Sequence, residues 1–155
     1  MIQRATTMPV YEVMTRAPVT VTSQTTVKDL IALFDRHDFN AFPVVDDRGM
    51  VRGIVTKLDV LRLLRPDQNL WVPALAEVSS ARVEDIMRRG VICVEAGDPV
   101  VVAADLMVET RLRSLPVVLR KAEGPVLVGI VSQGDLLRGL RFEFAENVGT
   151  ADSRR

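Results

Sequence analysis

Apolar and polar positions alternate along this chain in two periods, and the pair of periods occurs twice. Val27, Leu30, Ile31 and Phe34 fall at i, i+3, i+4 and i+7, the single apolar stripe of an amphipathic helix. Thr25 is its expected N-cap. Before it, β-branched Val19-Thr20-Val21 reads as a short strand. After it, Phe42-Pro43-Val44-Val45 and Met50 to Val55 read as a strand and its return, joined by the turn residues Asp46-Asp47-Arg48-Gly49. The proline predicts an edge position or the first residues of its strand. A helix near Asp59–Leu64 closes the set, and Val10 to Met14, broken from it by Pro18, predicts a helical turn ahead of it.

The same order returns downstream. Val100, Ala103, Ala104 and Met107 repeat the stripe, with Asp98-Pro99 as N-cap and first-turn pair. Ser114-Leu115-Pro116-Val117-Val118 repeats the proline strand, and a helix near Asp135–Leu140 repeats the closing one. Met14 and Met87 are 73 residues apart, as are Pro43 and Pro116; Gly53 and Gly129 are 76 apart, as are Asp59 and Asp135. The register slips once by three, and a longer hairpin at Arg120 to Pro125 is the expected place. Strand, helix, strand, strand, helix in each copy predicts an α+β fold.

A unit of about 60 residues buries only ~60% of its unfolded surface, so two copies within 155 residues are expected to pack as one body. Residues 1–68 are expected to form the first motif with an N-terminal arm, 69–82 a linker, 83–147 the second motif and 148–155 a flexible tail. The linker holds Leu70-Trp71-Val72, and Trp71 is expected to pack on the domain or on a partner chain.

Composition narrows the class. With 48% hydrophobic and 26% charged residues the chain is globular. Twenty basic and twenty acidic residues cancel, which argues against bulk attraction to nucleic acid or membrane. Arginine dominates the basic set, which suits phosphate and carboxylate recognition or surface ion pairs. Cys93 is the lone cysteine and is expected to be a small core residue, so an intrachain disulfide is excluded. The N-terminal residues lack the apolar stretch of a signal peptide, and no run reaches the ~20 apolar residues of a membrane span. A cytoplasmic location is expected.

The candidate chemistry lies where a strand opens into a closing helix: Thr56-Lys57-Leu58-Asp59 and Ser132-Gln133-Gly134-Asp135. A carboxylate there can accept from both hydroxyls of a ribose cis-diol, as an acidic residue does in dinucleotide folds. The hydroxyl three residues earlier adds a hydrogen bond, and free backbone N–H groups favour phosphate oxygens. The same spacing is that of a capping box, and the two roles can coexist. Arg16, Arg88, Arg111, Arg113 and Arg138 are candidate phosphate partners or surface charges; His37 is expected to be solvated. No metal-ligand spacing, glycine-rich phosphate loop or nucleophile–base pairing is apparent, so no metal, no cofactor and no catalytic residue is expected.

Val13-Met14-Thr15, Pro43-Val44-Val45 and Gly53-Ile54-Val55-Thr56-Lys57-Leu58-Asp59, with their second copies, resemble tandem cystathionine β-synthase (CBS) domains over roughly 10–64 and 83–141. The resemblance implies two motifs joined through their sheets about a pseudo-two-fold axis, a disc-like homodimer, and a regulatory role. It implies clefts between the repeats that bind AMP, ADP, ATP or S-adenosylmethionine, and a separate regulated protein. It places the base between Thr20-Val21 and Ala41-Phe42-Pro43 near Ile54, and in the second copy among Cys93-Val94, Ser114-Leu115-Pro116 and Ile130. The second copy departs in having Arg88 where the first has Thr15, and Gly134 before Asp135, so the two clefts are expected to be unequal. A ligand-independent dimerisation or interaction scaffold is the alternative.

Overall fold

The structure, a computed structural model, describes residues 7–151, with all side chains in that span except those of Glu143 and residues 146–151. They fall into two compact units, one of Val19–Val91, the other of the residues up to Pro18 together with those from Ile92 onward. The repeats divide the chain by sequence order; the units divide it by contact. Each unit therefore takes the opening segment of the other repeat.

In the Val19–Val91 unit, helix α1 (Val27–Arg36) buries Val27 and Leu30 beneath an antiparallel hairpin of β2 (Ala41–Val45) and β3 (Val51–Thr56), with Phe34 and Leu33 packed alongside. Ile31, expected in the stripe, is exposed. The core side of the helix rotates toward i+6, so Leu33 takes its place. The N-cap is Thr26, not Thr25: its side chain accepts from the Asp29 N–H at 3.2 Å, while the Thr25 hydroxyl accepts from the Thr22 N–H. Gly49, at φ 76°, turns the hairpin in the left-handed region that glycine enters freely. The expected strand at 19–21 shrinks to one parallel bridge, Val21 with Val44. Val21 N–H donates to the Pro43 carbonyl and Val45 N–H to the Val21 carbonyl. Pro43 has no N–H to extend the ladder toward Val19. Helix α2 (Lys57–Arg62) follows β3 directly. The predicted linker contains helix α3 (Leu75–Ser80), anchored by buried Val78, whereas Trp71 is 56% exposed. After α4 (Val83–Ile86), Arg88 exchanges backbone hydrogen bonds with Ile54 at 2.9 and 3.1 Å.

The other unit opens with a 3₁₀ turn at Val10–Glu12 and the two-residue strand β1 (Thr15–Arg16). Then come β4 (Val94–Glu95), α5 (Val100–Thr110), β5 (Ser114–Lys121), β6 (Gly124–Ser132) and α6 (Gln133–Ala151). The sheet order is β1-β6-β5-β4, with Thr15 opposite Ile130. Val10, Val94, Ala103, Leu115, Val117 and Val131 are central to its core. Pro99 occupies the N-cap of α5 and has no side-chain cap; Asp98, expected there, accepts from the Glu95 N–H instead.

Both hairpins carry a register shift at the same place, Val44/Val45 and Val117/Val118, so the duplication extends to a backbone irregularity. The three extra residues lengthen the strands, not the turn. β5 and β6 pair out to Lys121 opposite Gly124, whose φ is 136°. Of the predicted tail, residues 148–151 continue α6 and 152–155 lie outside the described residues. Among the described residues no helix is long and apolar enough to cross a membrane.

Candidate functional site

In each unit a strand ends at a hydroxyl residue and a helix starts on the next one. Thr56 ends β3 and caps α2; its Oγ1 accepts from the Asp59 N–H at 3.2 Å, while the Thr56 N–H donates to Asp59 Oδ2 at 2.9 Å. Ser132 does the same for Asp135, with the corresponding distances 3.1 and 2.8 Å. Both are complete capping boxes, so the capping role holds at both sites. Both carboxylates are nonetheless buried, 3% and 6% exposed. A carboxylate removed from water persists as a charge only where donors replace the water, and each has a cation to help: Arg62 Nη1 donates to Asp59 Oδ1 at 2.8 Å, and Arg138 donates to Asp135 Oδ1.

The strand registers gather the remaining candidates. Ala41 sits opposite Thr56 and Pro43 opposite Ile54, and Val21 is hydrogen-bonded to Pro43. Thr20 is half-buried beside it. In the second unit Ser114 sits opposite Ser132, Pro116 opposite Ile130, and Val94 beside Val117. Each row thus ends at the open end of its hairpin, beside a capped carboxylate; Val21, Ala41, Ile54 and Val94 in these rows are themselves buried. Phe42 and Leu115 alternate to the other side of their strands, wholly buried in their cores; the Phe42 ring lies 4.7 Å from Phe34. Only their backbones are available to a ligand. Cys93 is half-buried, not a full core residue; burial pushes its thiol pKa up, against the pull of the Arg120 charge.

Of the five candidate arginines, Arg88 and Arg138 reach the carboxylates, whereas Arg16, Arg111 and Arg113 are exposed. Arg62 is the functional candidate that the sequence reading missed. The signal was present: Asp-x-x-Arg recurs at 59/62 and 135/138, at the same spacing as the carboxylates. His37 is half-buried and stacks on Phe39 at 5.3 Å, so it is not the solvated residue expected. Among the described residues, no group of three or more His, Cys, Asp or Glu side chains is placed to hold a metal ion.

Paired copies of one motif, each ending in a capped carboxylate, match the family model described as CBS domain at residues 10–66 and 83–141. The chain belongs to the CBS-domain family. It is 32% identical over 127 residues to the protein MJ1225 of Methanocaldococcus jannaschii, a match covering 80% of this chain and 44% of that protein, so it spans less than half of that relative's length. Two CBS-pair structures are similar over nearly their whole length. The CBS domain pair of MJ0100, solved with 5′-methylthioadenosine and S-adenosyl-L-methionine, superposes with a TM-score of 0.71 at 26% identity, covering 88% of this chain and 98% of that one. CBSX2 of Arabidopsis thaliana, solved with AMP, superposes with a TM-score of 0.72 at 30% identity, covering 87% and 98%.

Proposed function

We propose that this CBS pair is a regulatory, non-catalytic module of the cytoplasm that binds an adenosyl ligand at the capped-carboxylate rows. The ligand is AMP, ADP, ATP or S-adenosylmethionine, and its occupancy is passed to a separate protein as a change in conformation or in a homodimer. The observation that carries this reading is the buried aspartate repeated at the same helix entrance, Asp59 and Asp135, each held by an arginine whose own side chain is exposed, 48% for Arg62 and 66% for Arg138. Each guanidinium can return to water when it leaves, and a diol hydroxyl that replaces it makes a hydrogen bond to a charged group, worth ~1.5–3 kcal/mol. A ribose diol can therefore take an arginine's place, and the released guanidinium is then near the ligand's phosphate or carboxylate. The adenosyl compounds seen with MJ0100 and CBSX2 support the same ligand class.

The test is a thermal-shift panel of the four compounds at millimolar concentration. Binding to the folded state raises Tm, by the equivalent of ~2.7 kcal/mol when ligand is at a hundred times its Kd. A flat panel contradicts the reading.

One observation favours the scaffold alternative. Leu61 and Leu137, equivalent in the two copies, are both more than half exposed although they lie on helices beside the carboxylates. Apolar surface at matched places suits a homodimer that needs no ligand. A dimer whose stability ignores the whole panel would favour this second reading.

A further inference from the structure

The two carboxylates differ in how much of their hydrogen-bonding capacity is already used. An ionised carboxylate offers about four lone-pair positions. At Asp59 all are engaged. Oδ2 accepts from the Thr56 N–H at 2.9 Å and the Thr56 hydroxyl at 2.8 Å; Oδ1 accepts from Arg62 Nη1 at 2.8 Å and, more loosely, from Arg88 Nε at 3.4 Å. At Asp135, among the described residues, Oδ2 accepts from the Ser132 N–H and Oδ1 from Arg138. Two positions remain, the number that a cis-diol needs.

Two exchanges between the copies make the difference: the Thr56 hydroxyl donates to Oδ2 where Ser132 only accepts, and Arg88 reaches Oδ1 where Thr15 does not. The second brings in a competing cation. Arg88 and Thr15 hold the same place: each lies opposite the isoleucine of its unit's Gly-Ile strand, Ile54 for Arg88 and Ile130 for Thr15. A threonine there is exposed and leaves the carboxylate alone. An arginine in the same place sends its side chain to Asp59. Backbone bonds at 2.9 and 3.1 Å hold the Arg88 main chain, so its guanidinium is tethered beside the carboxylate as an intramolecular competitor.

We infer that Arg88 closes the Asp59 site from within, so that the adenosyl ligand of the proposed function, on which this inference rests, is taken at Asp135. A diol entering at Asp59 must displace two arginines, one of them tethered; at Asp135 it meets one exposed arginine and open acceptor positions. The chain is then a one-site sensor built from a two-site fold, and residue 88 sets its stoichiometry.

The test uses two exchanges that leave both capping boxes intact, Arg88→Thr and Thr15→Arg, each placing at one copy the residue of the other. Calorimetric titration of S-adenosylmethionine and AMP into the full chain is expected to give one equivalent bound in the wild type. Arg88→Thr is expected to add a second equivalent. Thr15→Arg is expected to weaken binding about tenfold or more. Two equal equivalents in the wild type, or affinities and stoichiometry unmoved by either exchange, overturn the assignment of Arg88 while leaving the adenosyl reading in place. No binding by any of the three chains overturns both. Circular dichroism of each variant separates loss of fold from loss of binding, and Arg88→Lys, which keeps the charge but not the planar fork, is expected to fall between Arg88 and Arg88→Thr.

Discussion

A methyl group placed on Gly53 would stand 2.8 Å from the carbonyl oxygen of Arg88, closer than real side chains approach a backbone atom. Glycine is what lets β3 receive the Arg88 segment against its edge. Gly129 has the same role for β1, where a methyl would meet the Thr15 carbonyl oxygen at 2.9 Å. Overpacking of this kind costs ~1–3 kcal/mol. Gly53→Ala and Gly129→Ala are each expected to lower the unfolding free energy by that amount, read as a fall in the urea midpoint. An unchanged midpoint would mean that the openings do not pack on these strands.

Thr56 and Ser132 are not equivalent caps. The Thr56 hydroxyl both accepts from the Asp59 N–H and donates to its carboxylate, whereas the Ser132 hydroxyl accepts from the Asp135 N–H. N-cap removal costs ~0.5–2 kcal/mol. Thr56→Ala is expected near the top of that range and Ser132→Ala nearer the middle, with Thr56→Ser recovering most of the loss. Equal effects in chemical denaturation would refute the distinction.

Asp46 clasps the first hairpin turn. Its Oδ1 accepts from the N–H groups of Arg48 and Met50, and its Oδ2 from Arg52. Burial alone would push the carboxyl pKa up; the hydrogen bonds from Met50, Arg52 and Arg48 and the Arg52 charge outweigh it and hold it below its ordinary value. A carboxylate lowered on folding stabilises the folded state fully above its unfolded pKa of ~3.9, and that contribution fades as pH falls through the folded value. Melting temperatures of wild type and Asp46→Asn are thus expected to differ most at neutral pH and to converge in acid. A gap that widens in acid would reverse the sign.

Leu137 and Phe144 lie seven residues apart on one stripe of α6, both exposed. Under the proposed homodimer this stripe is covered by the second copy. Phe144→Glu is expected to shift sedimentation from dimer toward monomer without loss of helix content. A wild type that sediments as a monomer at micromolar concentration would remove the dimer from the proposal.

The repeat, the proline strands and the carboxylate corners were legible because each has a local signature: fixed spacing, a residue without an N–H, and a hydroxyl three residues before an acid. What was not legible depended on distant partners. Val13-Met14-Thr15 and Ile86-Met87-Arg88 are so alike that sequence order suggests each opens its own motif. Thr15 pairs instead with Ile130, and Arg88 with Ile54. Adjacent similar residues were the second difficulty. Thr25 or Thr26 can cap α1, and Ile31 or Leu33 can face its core; the exact rotation of the helix against the hairpin decides, and periodicity leaves it open by one or two residues. That the two copies are unequal was legible from Arg88 against Thr15; which carboxylate is filled was not, because it depends on Arg88 pairing with the first copy's hairpin.

The central claim is that a buried aspartate at a capped helix start grips an adenosyl ribose. Its most direct test is calorimetric titration of S-adenosylmethionine and AMP into the wild type and into Asp135→Asn, a change that keeps an acceptor for the Ser132 N–H but removes the charge. Saturable binding by the wild type, weakened about ten- to a hundredfold in the variant while its ligand-free melting temperature stays close to wild type, is the expected result. Binding of equal strength in both chains, or none in the wild type at millimolar ligand, would contradict it.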